Sequence, residues 1–303
     1  MPLRRLPFLA AAVVVVFAVR VFGASEDWHA THWNGEEAVT STSSGWTATV
    51  SIDRARLVWY GRIGGPNLLF STTKRDDPAG WGGHRMWLGP QGEWPKIWPP
   101  PAAWESSRAK SVSLDQHHLL RLELFDAGDG WPKLARTYRW RGSDLVCGAE
   151  LEGGTRPAQV IQIIQIPGSS KVHVAAFPDA FASRGYVRLP PTNVRELTAE
   201  FATPSQVSGT GHLLELHYNG VAEKLGFAPE LLEGTIDDRM KIGVVRGPRT
   251  GKTVGEPDHG YFSQVFLGSH EPFIELEQLS PLFAPGGTAT FEIILRAVPL
   301  HGK

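Results

Sequence analysis

Strand-length segments separated by turn residues recur through nearly the whole chain after residue 24. In segments such as residues 46–52, 119–125 and 288–296, apolar and polar residues alternate or β-branched residues cluster. Gly, Pro, Asn and Asp stand between the segments, a pattern typical of β-sandwiches and β-barrels. The best helical candidate, residues 220–232, is short and contains Pro229. The sequence therefore predicts an all-β fold.

The large number of predicted strands requires two packed layers that bury each other's inner faces. A hydrophobic content of 42% with 20% charged residues is sufficient for a core of that size. No Pro/Ser-rich linker divides residues 30–300, and residues 94–101 (WPKIWPPP) are too aromatic for a free linker. We predict that residues 24–303 form a single domain.

The first 23 residues have the layout of a secretory signal peptide. Arg4 and Arg5 precede an apolar run over residues 6–19, and Arg20 and small residues follow it. The run is shorter than the roughly 20 apolar residues of a membrane-spanning helix. We predict export to the periplasm or the extracellular space, with an uncleaved N-terminal anchor as the alternative.

Charge and cysteine content exclude several classes of function. The chain has 30 Lys and Arg against 31 Asp and Glu, so no basic surface for nucleic acid is predicted. Cys147 is the single cysteine, which excludes a disulfide scaffold and a cysteine-rich metal site. The histidines show no metal-binding spacing such as HExxH. We predict neither a metal ion nor another cofactor.

Tryptophan is unusually frequent, and five of the 11 lie between residues 81 and 104. Next to them, Gly82 and Gly83 allow a tight turn or a close approach of the backbone, before His84 and Arg85. Aromatic rings beside polar groups are typical of carbohydrate sites, because a pyranose ring packs its C–H face on an aromatic ring. We predict a sugar-binding set of residues here, namely Trp81, His84, Arg85 and Trp87. Alternatively, the tryptophans close one end of the sandwich.

Two further strands carry polar residues in apolar surroundings. Alternation places Glu275 and Glu277 on the same face of one strand, about 7 Å apart. They either face solvent or line a polar cleft, where the proximity of two carboxylates raises the pKa of one of them. Gln162 and Gln165 interrupt the apolar run of residues 158–167 and serve either as structural hydrogen-bonding groups or as ligands of sugar hydroxyls.

Several motifs together resemble a known family over about residues 45–298. They are GGHRMWLGPQGEW followed by WPPP, a glutamine-containing strand before IPGS, KIGV, FIELEQLSPL, APGGT and FEIIL. In order and spacing the chain is similar to the domain-of-unknown-function 4380 family of the galactose-mutarotase-like superfamily. The resemblance implies an antiparallel β-supersandwich with a broad concave face that holds carbohydrate in related families.

The resemblance also implies candidate chemistry. In aldose 1-epimerases a late glutamate takes the proton of the anomeric hydroxyl and a mid-chain histidine protonates the ring oxygen. Glu275 or Glu277 stands where the glutamate is expected, whereas Gln162 and Gln165 stand where the histidine is expected. Glutamine cannot act as a general acid. A substitute histidine would have to come from elsewhere in the chain, and the candidates are His84, His173 and His259.

We therefore predict an exported carbohydrate-binding protein whose cleft is lined by Trp81, His84, Arg85, Trp87, Gln165, Glu275 and Glu277. One alternative is an aldose 1-epimerase-like or other sugar-active enzyme with Glu277 or Glu275 as its base. The second alternative is a structural or interaction module of the cell envelope, whose tryptophans form a flat exposed patch that contacts protein.

Overall fold

A computed structural model describes residues 27–72, 81–96, 99–175, 185–189, 207–210, 213–267 and 273–300. The described residues form one short helix, α1 (Ala102–Glu105), and 22 strands. The strands are β1 (His29–Trp33), β2 (Glu36–Ser43), β3 (Trp46–Ser51), β4 (Arg56–Arg62), β5 (His84–Gly89), β6 (Ser111–Leu114), β7 (Leu120–Glu123), β8 (Lys133–Arg141), β9 (Asp144–Glu152), β10 (Gln159–Pro167), β11 (Lys171–Ala175), β12 (Val187–Leu189), β13 (Val207–Thr210), β14 (Leu213–His217), β15 (Glu223–Phe227), β16 (Leu231–Ile236), β17 (Met240–Thr250), β18 (Thr253–Gly255), β19 (Ser263–Leu267), β20 (Phe273–Leu279), β21 (Leu282–Phe283) and β22 (Thr288–Pro299).

The described strands form three large antiparallel sheets and one small one. A ten-stranded sheet has the order β13-β14-β11-β16-β17-β22-β9-β8-β7-β6, and a six-stranded sheet has the order β12-β15-β19-β20-β10-β5. A four-stranded sheet follows the chain as β1-β2-β3-β4, and β18 pairs with β21. All strand pairs of the described residues are antiparallel. The all-β prediction is confirmed.

The ten-stranded sheet forms one layer, and the six-stranded and four-stranded sheets pack against it. From the six-stranded sheet, Gln162 donates a hydrogen bond to the Phe291 carbonyl oxygen of β22 at 2.9 Å. From the four-stranded sheet, the Tyr60 hydroxyl donates to the Leu295 carbonyl oxygen, also in β22, at 3.3 Å. Apolar side chains of all three sheets belong to one hydrophobic cluster. This arrangement is the two-layer sandwich that the number of strands predicts.

The central strands β10 and β20 are buried on both faces. Every residue of β20 is buried, and so are the first eight residues of β10. A strand in a sheet with one solvent-exposed face would alternate between buried and exposed residues. Side chains on the face of the six-stranded sheet that points away from the ten-stranded sheet are therefore also shielded from bulk water, and the polar ones need hydrogen-bond partners.

One secondary-structure prediction is wrong. Residues 220–232, the best helical candidate, contain β15 and the start of β16, with Pro229 between the two strands. Leu225 and Phe227 lie on the inner face of the six-stranded sheet, and their burial favours the strand over the helix. The predicted signal peptide, residues 1–23, lies outside the described residues. Within the described part of the chain, no helix is long and apolar enough to cross a membrane.

Gly82 and Gly83 fix the start of β5, the strand that carries Arg85. Both have positive φ, 73° and 79°, and a Cβ added to Gly83 would lie 2.3 Å from the Leu57 carbonyl oxygen. The Gly83 amide donates to the Phe70 carbonyl oxygen at 2.7 Å, and its carbonyl oxygen accepts from the Gln165 amide at 3.1 Å. The predicted close approach of the backbone is confirmed, and it locks β5 against β10.

Candidate functional site

Polar side chains gather on the outward face of the six-stranded sheet. Gln278 of β20 contacts the ten-stranded sheet through the Val244 carbonyl oxygen; alternation therefore places Glu275 and Glu277 on the opposite face. The strand register pairs Glu275 with Gln165 of β10 and brings Arg85 of β5 onto the same face. We call this surface, from β5 to β15, the site face.

Glu275 lies at the centre of a buried group of hydrogen bonds. Its Oε1 accepts from Gln165 Nε2 at 2.6 Å and from Arg85 Nη1 at 3.1 Å. Glu275 is 5% exposed and Gln165 is fully buried. The Gln165 Oε1 atom is also buried, and it has no hydrogen-bond donor among the described residues. A buried amide oxygen without a donor costs about 1–3 kcal/mol, so it marks a position where a ligand hydroxyl or a water molecule fits.

Glu277 forms a second charged pair on the site face. Its Oε2 atom lies 3.0 Å from Lys224 Nζ of β15. The Glu277 side chain is 2% exposed and that of Lys224 is 11% exposed. In the register of β19 and β20, Gln264 lies directly opposite Glu277. The two glutamates therefore share one face but have different cationic partners, Arg85 for Glu275 and Lys224 for Glu277.

Glu105, at the end of α1, completes the surroundings of Arg85. Its Oε1 accepts from Arg85 Nη2 at 2.9 Å, and its Oε2 accepts from Trp87 Nε1 at 2.7 Å. Arg56 Nη2 lies 3.3 Å from Glu105 Oε1. Glu105 is a site residue that the sequence does not indicate, because a single carboxylate in a loop-like segment gives no periodic signal. Arg85 thus links Glu105 to Glu275.

Arg136 of β8 holds α1 in place. Its guanidinium donates to the carbonyl oxygens of Ala55, Trp104 and Met86, the last at 2.8 Å. These three carbonyls belong to the turn before β4, to α1 and to β5. Burial lowers the pKa of Arg136 to about 10. One buried arginine therefore ties the helix that carries Glu105 to the strand that carries Arg85.

Burial and neighbouring charges shift the two carboxyl groups in opposite directions. Burial raises the pKa of Glu275 to about 7; Arg85 acts against this shift and Glu277 adds to it. Burial alone would also raise the pKa of Glu105, but Arg56 and Arg85 outweigh it and hold the pKa below its usual range. At neutral pH Glu105 is therefore a fixed anion, whereas Glu275 exchanges a proton readily.

The structure does not bring His84 to the site face. His84 is fully buried, and its side chain lies on the opposite face of β5 from Arg85. Its Nε2 lies 3.0 Å from Gln162 Oε1, and its Nδ1 lies 3.4 Å from the Tyr138 hydroxyl. Burial lowers the pKa of His84 to about 3, so its ring is neutral. We therefore leave His84 and Gln162 out of the site. His173 lies in the ten-stranded sheet, opposite Glu215 and Glu233.

Trp81 and Trp87 do not offer open ring faces. Trp87 is 2% exposed, and the Arg85 guanidinium lies 4.4 Å from the centre of its ring. Trp81 is also buried, with the guanidinium groups of Arg54 and Arg56 at 4.8 and 5.5 Å from its ring. These guanidinium groups occupy the positions that a sugar ring would take. The described tryptophans of residues 81–104 are all buried, and Trp98 lies outside the described residues.

A cleft lies on the outer face of the ten-stranded sheet, away from the site face. It has a volume of about 300 Å³ and lies between the side chains of Lys110, Arg121, Lys133, Glu150 and Glu152. Arg121 bridges Glu150 and Glu123 at 2.8 and 2.9 Å, so these charges already have partners. The site face differs because its carboxylates are buried and one of its amide oxygens lacks a donor. No group of three or more potential metal ligands is found among the residues that the structure describes.

Comparison with known proteins gives likeness in structure only. No family model matches the sequence, and no curated protein matches it. A galactose mutarotase-like protein from Lactobacillus casei ATCC 334 is 11% identical, with a TM-score of 0.59 over 86% of this chain and 100% of that one. A putative mutarotase from Salmonella typhimurium is also 11% identical, with a TM-score of 0.55 over 92% and 96% of the two chains. The chain therefore has the galactose-mutarotase-like β-sandwich fold.

Proposed function

We propose that this protein binds a carbohydrate on the site face, with Gln165 and Glu275 at the centre of the binding site. The observation that carries the proposal is the buried Gln165 Oε1 atom, for which the described residues supply no donor, beside a carboxyl group whose pKa burial raises to about 7. A sugar hydroxyl both donates and accepts a hydrogen bond, so it can satisfy this amide oxygen and contact Glu275 together. The likeness in fold to proteins described as mutarotases supports the same ligand class.

The charges of the site favour a neutral ligand. Arg56 and Arg85 pair with Glu105, and Lys224 pairs with Glu277, so each of these cationic side chains already has an acidic partner other than Glu275. A charged ligand would have to break one of these buried pairs, which is costly. A polyhydroxylated neutral ligand needs only hydrogen-bond partners. The tryptophans have no part in this proposal.

Calorimetric titration of the purified protein with neutral monosaccharides tests the proposal. We expect a saturable heat of binding, and we expect Gln165→Leu to weaken the affinity about tenfold or more, because the amide oxygen and the amide donor are both lost. Gln116→Leu is the matched control, since Gln116 lies in an exposed turn and should leave the affinity unchanged. Absence of binding to every sugar, or equal binding by Gln165→Leu, would refute the proposal.

Sugar anomerisation is a second candidate function, and the pKa of Glu275 favours it. A carboxyl group that titrates near pH 7 can both accept and donate a proton at that pH. Optical rotation of freshly dissolved α-D-glucose or α-D-galactose should then change faster with the protein than in buffer. Glu275→Gln should lower the catalysed rate at least a hundredfold, whereas Glu292→Gln, in a pair with Arg139 on the ten-stranded sheet, should not. A wild-type rate equal to that of buffer would exclude this function for these sugars.

Two further parts of the proposal rest on the sequence alone. Residues 1–23 support export, either with cleavage or as an N-terminal anchor. The absence of a linker within residues 30–300 supports one domain. The interaction-module hypothesis lacks support, because the described tryptophans of residues 81–104 are buried and form no exposed patch.

A further inference from the structure

The short turn Asp258–Gly260 presents a histidine in an unfavourable backbone conformation. His259 has φ 60° and ψ 6°, in the left-handed region that glycine adopts without cost and other residues rarely adopt. Non-glycine residues in this region persist where the surrounding structure fixes them, and they are frequent at functional sites. The neighbouring Gly260 also has positive φ, 74°. Hydrogen bonds from side chains outside the turn fix its backbone.

Two buried glutamines of the site face hold the turn. Gln159 of β10 accepts a hydrogen bond from the Asp258 amide at 2.8 Å. Gln264 of β19 donates to the carbonyl oxygens of Asp258 and Tyr261, both at 3.1 Å. Gln159 and Gln264 are 0% and 1% exposed. The backbone amide of Gln91 donates a further hydrogen bond to Asp258 Oδ2 at 2.8 Å. Strands β10 and β19 flank β20, so these bonds fix the turn at the site face.

The charged groups around His259 also belong to the site face. Burial lowers the pKa of His259, Lys224 acts in the same direction, and Asp258 and Glu277 oppose them. His259 therefore lies within the electrostatic range of the Glu277–Lys224 pair. A neutral imidazole results near pH 7, and one of its ring nitrogens is a hydrogen-bond acceptor.

We propose that His259 is a ligand-contacting residue of the site, that Gln159 and Gln264 hold its turn at the site face, and that its imidazole accepts a hydrogen bond from a ligand hydroxyl. The inference rests on the proposed function, since it requires a hydroxyl-bearing ligand on the site face. It adds a residue from the turn before β19 to a site otherwise built from strand residues and α1. The strained backbone of His259 is then part of the binding site.

His259→Asn tests this inference, because asparagine tolerates the left-handed conformation but lacks the imidazole. We expect the thermal midpoint to stay equal to or rise above that of the wild type, while the affinity for the monosaccharide selected by calorimetry falls at least fivefold. His118→Asn is the matched control. His118 also has positive φ, 59°, in a turn before β7, and its replacement should leave the affinity unchanged.

Nuclear magnetic resonance of the histidine side chains provides a second readout. Signals of His259, identified by their absence in His259→Asn, should move when D-galactose or D-glucose is added to the wild type. In Gln165→Leu the same movement should require about tenfold or more sugar. Binding that depends on Gln165, with unmoved His259 signals and full affinity in His259→Asn, would overturn the inference and leave the proposed function intact. No binding of any sugar would overturn both.

Discussion

Replacement of Glu105 by Gln is expected to lower the free energy of unfolding by about 3–5 kcal/mol. Glu105 is 1% exposed and is the shared anionic partner of Arg56 and Arg85. The substitution keeps the shape of the side chain but removes its charge. Two buried guanidinium groups would then share one neutral amide, whose NH₂ group faces other donors. Denaturant unfolding of the wild type and of Glu105→Gln measures the difference.

A surface ion pair provides the control for this loss. Glu37 and Arg108 lie 2.9 Å apart, and their side chains are 61% and 55% exposed. Glu37→Gln should change the free energy of unfolding by less than about 1 kcal/mol, because water screens the pair. If Glu37→Gln and Glu105→Gln lowered the free energy of unfolding equally, burial would not determine how much the Arg56–Glu105–Arg85 cluster contributes to stability.

The site partly follows from local patterns in the sequence. Alternation along β20 places Glu275 and Glu277 on one face, as predicted. Strand β10, which lies between β20 and β5, carries Gln165 on the same face. The same alternation separates His84 from Arg85, because adjacent residues of a strand point to opposite faces. The sequence alone could therefore have excluded His84 from a cleft that contains Arg85.

Other features of the site depend on contacts between distant parts of the chain. Gln165 and Glu275 are 110 positions apart, and no local pattern specifies that β10 pairs with β20. The burial of both faces of β20 decides that the two glutamates lie in the interior, whereas an isolated alternating strand predicts solvent exposure for them. Trp87 depends instead on a contact only two positions away in the same strand. Its sequence context fits a sugar platform, but the Arg85 guanidinium occupies its ring face.

Glu275 is expected to make the stability of the fold decrease as pH rises from about 4.5 to 7. Its pKa is about 7 in the folded protein against 4.5 for the ordinary group, and burial is the main cause. A raised pKa means that the folded state holds the proton more tightly than the unfolded state. The stabilisation is therefore complete below pH 4.5 and is lost as pH rises through 7. The total change for Glu275 is roughly 3 kcal/mol.

Denaturant unfolding of the wild type and Glu275→Gln at a series of pH values isolates this contribution. The free energy of unfolding of the wild type minus that of Glu275→Gln should fall as pH rises from 4.5 to 7. Contributions of groups that titrate equally in both proteins cancel in this difference. Glu123→Gln is a control for which the pH dependence of stability should have the opposite sign. A hydrogen bond from Arg121 lowers the pKa of Glu123, so the stabilisation by Glu123 is lost as pH falls. If this difference in free energy of unfolding stayed constant or rose with pH, the effect of Arg85 on the pKa of Glu275 would match or exceed that of burial. Glu275 would then be an anion throughout this pH range. In that case Glu275 could accept a proton but would not be present as an acid near pH 7, and the anomerisation candidate would lose the observation that favours it.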